Sequence, residues 1–365
     1  MDDVRAIPPK PQALPATPVS LGHCDPPSPS KAKLVCHCDD GTAVFFDPMM
    51  RFPFLLLASA ICVMGCGDPT SEEAASPDDM TDQEARTENQ TPDPGLEIQG
   101  HRGARGLLPE NTVPSFVIAI REGADVLEMD LCIAGDSSII VSHEPWMSHV
   151  ICSKPDGSPV GKREERTFNL HRMTAREIAS FSCGERPHPG FPDQRQLPVH
   201  KPTLAEVVGV VETVPKLGYD TPIRYNLEIK HAEALEPEFC PDPETFVRLV
   251  LEEVGRLGIA DRTCIQSFSA PVMEALHTLD PGMTTAWLIE SEGDVESQLA
   301  RLSFTPDIYS PNFRLIDAQD VHLLQSKGLR VIPWTVNEAE DLMTVMQLGV
   351  DGIITDYPDR LYDMR

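Results

Sequence analysis

The chain has 365 residues, 41% of them hydrophobic, with 30 Lys+Arg against 57 Asp+Glu and a net charge of −27. That length suits one large domain or two smaller ones, and the apolar share is enough for a core, which excludes an acidic chain disordered throughout. So negative a balance argues against nucleic acid as a partner, because a phosphate backbone calls for a basic face. In chain order, residues 1–48 come first; they hold nine of the 35 prolines, show no helical or strand period, and are expected not to fold.

Met49-Met50-Arg51 then opens a short basic start, followed by the apolar run FPFLLLASAICVMGC ending at Cys66. The run is shorter than the roughly 20 residues a membrane-spanning helix needs. A basic start, an apolar stretch and small residues before a Cys describe an export signal. Val63-Met64-Gly65-Cys66 resembles a bacterial lipobox, which implies lipid on Cys66, an anchored exported protein, and translation starting at Met49 or Met50. Residues 67–95 carry nine acids and one Arg and read as a solvated, self-repelling tether.

From Leu96 the texture changes. Strand-like runs at 96–101, 126–132, 223–230, 263–268, 284–289, 307–310, 330–336 and 352–356 alternate with helical patterns such as 112–122, 204–217, 243–257 and 318–327. Eight strands alternating with helices predict an α/β fold, a closed (β/α)8 TIM barrel over 96–365. The alternative, an open doubly wound sheet, lacks a Gly-rich phosphate loop after its first strand. The interval 144–201 is too long for an ordinary connection and is polar and rich in Gly and Pro. It predicts a loop-rich subdomain inserted over the C-terminal face, with one short helix near 175–180.

Active sites of such barrels sit at the C-terminal ends of the strands. The first strand ends at His101-Arg102, the second carries Glu128-Met129-Asp130, and the third carries Asn226-Leu227-Glu228-Ile229-Lys230. Side chains alternate along a strand, so Glu128 and Asp130 share a face, as do Asn226, Glu228 and Lys230. With the apolar set against the helices, the charged set faces the barrel axis, where it needs compensation. Glu128, Asp130 and Glu228 are oxygen donors suited to Ca²⁺ or Mg²⁺ rather than Zn²⁺. A turn at Gly135-Asp136 between apolar runs predicts a hairpin that returns His143 to the carboxylates. His101 and His143 can then divide general acid and base roles, Arg102 offers a fork for phosphate, and Lys230 adds a point charge.

The stretch GHRGARGLLPENTVPSFVIAIREGADVLEMDL, followed by His143, NLEIK, Gln266-Ser267-Phe268, PWTVN and GVDGIITDYPD, resembles the glycerophosphodiester phosphodiesterase family over 97–361. The resemblance implies a metal-dependent hydrolase that releases an alcohol and glycerol 3-phosphate. His101 and His143 are its acid/base pair, Arg102 and Lys230 hold phosphate, and Glu128, Asp130 and Glu228 hold the metal. Glu110 orders the loop after the first strand, and Trp334 is a possible site wall. His143-Glu144 stands where the family has His-Asp, and the long insert bears on substrate choice. A phospholipase C/D-like enzyme on intact lipids and a non-catalytic phospholigand-binding lipoprotein are the alternatives. An exported protein also favours a Cys152–Cys183 bridge within the insert, with Cys132 and Cys264 as buried thiols.

Residues 1–66 carry −1 and the tether −8, leaving −18 on the barrel. An anionic substrate therefore requires a local positive pocket built by the metal, Arg102 and Lys230.

Overall fold

The structure, a computed structural model, describes residues 95–215 and 222–364. The expectations for residues 1–94, including Cys66 and the tether, lie outside the described residues, as do the last two residues of the helix predicted at 204–217. Among the described residues no helix is long and apolar enough to cross a membrane.

Nine strands occur among the described residues: β1 Glu97–Gly100, β2 Val126–Ile133, β3 Ile139–Val141, β4 Arg224–Ile229, β5 Thr263–Ser267, β6 Thr284–Ile289, β7 Ile308–Pro311, β8 Arg330–Val331 and β9 Gly352–Thr355. Eight run parallel in the order β8-β7-β6-β5-β4-β2-β1-β9, and β3 lies antiparallel on β2. Between β8 and β9 the ring is drawn together by Asp351 N–H to Val331 O (3.0 Å) and Ile354 N–H to Pro333 O (3.0 Å). This is the (β/α)8 barrel that the alternation predicted.

The predicted strand at 330–336 is reduced to two residues as a ladder. Pro333 lacks the N–H that would continue it, although Trp334 still makes a parallel bridge to Asn312. The helix predicted from 204 starts on a Thr203/Glu206 capping box and ends at Val211. The helix Pro243–Leu257 keeps its predicted bounds, capped by the Asp242 carboxylate and ended by left-handed Gly258.

Parity along the strands decides where charge goes. Leu127, Met129 and Leu131 of β2 and Tyr225, Leu227 and Ile229 of β4 pack in the core under the helices. The alternate residues face the axis. One half of the interior is apolar, built from Ala286, Ile308, Ile332 and Ile354. The half under β1, β2, β4 and β5 is polar: Asn226 donates to Gln99 (2.8 Å) and to Gln266 (3.0 Å). Cys132 is buried as expected, but Cys264 is only partly so, because it borders a cavity at the N-terminal mouth of the barrel.

Residues 144–201 drape over the loop after β1: Gln194 donates to Arg105 O (2.6 Å) and Arg195 N–H to Leu107 O (2.9 Å). The segment has its own small core of Met147, Ile151, Leu170, Ile178 and Phe181 against the β2–β3 hairpin. The Cys152–Cys183 disulfide is present.

Candidate active site

The loop leaving β1 is tightly wound. Arg102 takes a left-handed conformation (φ 52°), as does Gly103 (φ 86°), where a Cβ would lie 2.6 Å from Ser115 Oγ. This turn sends the Arg102 backbone N–H to Glu128 Oε2 (2.8 Å). Its guanidinium reaches Glu110 (2.9 Å) and Asp130 (3.1 Å). Glu110 also lies 3.7 Å from Arg105, so it orders this loop as expected.

His101 is held from behind by Asp356, which follows β9: Nδ1 to Oδ1 is 2.8 Å. Arg105 (2.8 and 3.1 Å) and Asn337 (2.7 Å) donate to the same carboxylate. Burial is the strongest influence on His101 and, although Asp356 opposes it, lowers its pKa to about 4. Asp356, despite its burial, is held well below the usual carboxylate range by His101 and Arg105. A neutral imidazole beside an ionised Asp356 donates from Nδ1 and keeps the Nε2 lone pair for the cavity.

Glu128, Asp130 and Glu228 are buried, with ligand oxygens all within 4.8 Å of one another. The ladder places Asp130 directly beside Glu228, and Gln266 on β5 donates to Glu128 (3.0 Å). Burial, followed by repulsion from Asp130 and Glu228, pushes the Glu128 carboxyl well above its ordinary pKa. Glu228 is raised too, chiefly by burial, against the pull of Lys230. Asp130 is lowered: burial opposes ionisation, but Arg102, Lys230 and His143 outweigh it. Its Oδ1 has no hydrogen-bond partner, the nearest cation being Lys230 Nζ at 3.5 Å. Crowded carboxylates, an orphaned buried oxygen and an all-oxygen donor set fit a hard divalent cation.

The β2–β3 hairpin brings His143 back as expected, with Ser142 N–H on Asp130 O (2.9 Å). His143 Nδ1 lies 3.0 Å from Glu144 Oε1. Burial works against the Glu144 charge, yet His143 and Lys201 bring its pKa down to about 2. Lys201, buried at the far end of the insert, bonds Ser142 Oγ (2.6 Å) and so ties both ends of the insert to the segment carrying His143.

A cavity of about 400 Å³ opens over these groups, lined by His101, Arg102, Glu128, His143, Glu228 and Lys230. Trp334 is on its wall, edge-to-face with Phe268 at 5.4 Å. The structure thus gathers every predicted site residue of the barrel, with Asp130 directly behind the rim. Arg102 and Lys230 also pair with the acids, so the ion-pair network and the candidate metal site are one cluster. Sequence reasoning missed Asp356, Arg105, Lys201, the Gln266 contact and Asn111, whose amide donates to Asp130 Oδ2 (2.7 Å). Asp356 had a signal, an acid closing the last strand in IITD, and Gln266 stood in a quoted motif.

A parallel barrel with carboxylates, two carboxylate-bound histidines and two cations at its C-terminal mouth defines a phosphodiester hydrolase. The Glycerophosphoryl diester phosphodiesterase family matches residues 101–360. The chain belongs to that family and is a glycerophosphodiester phosphodiesterase. It is 26% identical over 271 residues to the glycerophosphodiester phosphodiesterase of Bacillus subtilis (strain 168), covering 73% of this chain and 85% of that protein. A solved structure from Silicibacter pomeroyi DSS-3 superposes with a TM-score of 0.66 at 28% identity, covering 74% of this chain and 94% of the other. An Oleispira antarctica phosphodiesterase in complex with the product sn-glycerol-3-phosphate shares the fold at TM-score 0.58 and 20% identity, covering 73% and 95%.

Proposed function

We propose that this enzyme hydrolyses glycerophosphodiesters to an alcohol and glycerol 3-phosphate by metal-dependent His acid/base catalysis. The observation that carries the reading is the convergence of Glu128, Asp130 and Glu228 within 4.8 Å, beside two histidines each bound through Nδ1 by a carboxylate. These three carboxylates hold Ca²⁺ or Mg²⁺, which supplies charge neutralisation at the phosphate oxygens. Arg102 and Lys230 bind the phosphate, each turning donors now held by acids toward it. His101 and His143 present Nε2 to the cavity; one takes a proton from the attacking oxygen and the other gives one to the departing alkoxide. The relative whose structure holds sn-glycerol-3-phosphate supports this product.

The test uses the purified chain and a panel of glycerophosphodiesters, with Ca²⁺, Mg²⁺ or chelator, following glycerol 3-phosphate. Turnover that survives chelator overturns the metal role, and turnover surviving His101→Ala overturns the histidine role. Residues 49–66 are proposed as an export signal, with Cys66 lipidated and 67–95 as the tether to a barrel of 96–365. Labelled fatty acid on wild type but not on Cys66→Ala is the expected result; equal labelling sinks the anchor.

A further inference from the structure

The cavity over the carboxylates continues into a second recess. The two share His143, Glu228, Lys230 and Phe268, and beyond them the recess is walled by Pro145, Ala232 and Leu235. It measures about 160 Å³, and a dry cavity of about 150 Å³ takes a benzene. Its outer wall is pinned in place, because the buried His231 ring bonds Ser269 Oγ (2.8 Å) on one side and Glu236 Oε1 (2.5 Å) on the other.

The two lobes differ in chemistry. Beyond the shared residues the larger carries Arg105, Glu290 and Thr335, groups that hydrogen-bond hydroxyls, beside the apolar Leu288, Trp334 and Ile354. The smaller adds Pro145, Ile229, Ala232 and Leu235, and its further polar group, His231, already has both ring nitrogens bonded. A glycerophosphodiester has two unlike arms leaving one phosphate. Glycerol brings two free hydroxyls that need partners, and burying them against apolar walls is costly.

We propose that the apolar recess is the subsite for the departing alcohol, and that Ala232 and Leu235 set its size and polarity. It takes compact alcohols with apolar surface, up to about the size of a six-membered ring. This rests on the phosphodiesterase reading above. Hydrolysis there breaks the bond from phosphorus to that alcohol's oxygen; the oxygen of water joins phosphorus, and a proton ends on the alcohol.

The test measures kcat/KM for glycerol phosphodiesters of methanol, benzyl alcohol and inositol, by glycerol 3-phosphate release from the full chain with divalent metal. Wild type is expected to favour benzyl over inositol by about 10-fold or more. Ala232→Phe, at an exposed position, is expected to lose about 10-fold or more on the benzyl diester while the methyl diester changes less than about 3-fold. Ala232→Leu should fall between. An unchanged benzyl-to-methyl ratio in both variants overturns the subsite, whether both diesters keep their rates or both lose equally; in the second case glycerol occupies the recess. Those results leave the phosphodiesterase reading standing. Absence of wild-type turnover on every diester overturns that reading and the subsite together.

Discussion

His101 and Asp356 stand 255 positions apart in the chain and meet at 2.8 Å, Nδ1 to Oδ1. The contact exists because β1 and β9 are ladder neighbours, with Gly100 beside Thr355. It orients the ring and leaves Nε2 on the cavity side, 4.0 Å from Glu128 Oε2.

Asp356→Asn is expected to lower kcat/KM by about 10²–10⁴-fold, because the amide no longer selects the Nδ1–H tautomer. Arg105 also loses its bidentate partner, so the melting temperature should drop. Wild-type kcat/KM in a folded variant would refute the role of Asp356.

Acid stability should decline in two stages. The folded His101 pKa of about 4 lies below its unfolded value of roughly 6.5. The unfolded chain therefore binds that proton first. The His101 contribution is complete above about pH 6.5 and is lost as pH falls through 4. Asp356 is also depressed, so its contribution is present above roughly pH 4 and is lost below that. Denaturant titrations at pH 7, 5.5 and 4 check this. His101→Gln should show a shallower decline between pH 6.5 and 4, and an identical slope would count against the assignment.

Glu128→Gln separates the metal from the fold. Removing one of three repelling carboxylates should leave the metal-free protein as stable as wild type or more so, given how strongly burial and its neighbours disfavour the Glu128 charge. Wild type should gain stability from Ca²⁺ or Mg²⁺, about 2.7 kcal/mol at a hundred times Kd, and the variant should gain far less. Thermal melts with metal or chelator read both effects. Equal metal gains in the two proteins would remove Glu128 from the ligand set.

The Cys152–Cys183 bridge closes a sequence separation of 31. In the chain-entropy view, replacing both with Ser costs about 3–4 kcal/mol. The loss should appear as a lower melting temperature and as faster proteolysis within 144–201, with the barrel helices less affected. Unchanged melting and cleavage in the double variant would show that the insert does not depend on the bridge.

The alternation of Glu128 with Met129 and Asp130, and of Glu228 with Ile229 and Lys230, already stated in one dimension that these charges share an inward face. The hairpin turn at Gly135-Asp136 did the same for His143, since both rest on local periodicity and local turn chemistry. Asp356, Lys201 and Gln266 were different. Asp356 and Gln266 stood within recognisable motifs, but the contacts that bring the three to the site run to His101, Ser142 and Glu128, each more than fifty residues away in the chain.

Residue order and strand parity, local properties of the backbone, determined the barrel, the family and the set of acids, histidines and cations at its mouth. Tertiary structure decided how those groups are held. Ring closure set Asp356 behind His101, the return of the insert set Lys201 against Ser142, next to His143 in the chain, and the packing of 144–201 and the 231–236 loop shaped two unlike lobes over one phosphate site. These are contacts between distant segments, fixed by how the strands and loops pack rather than by any local period.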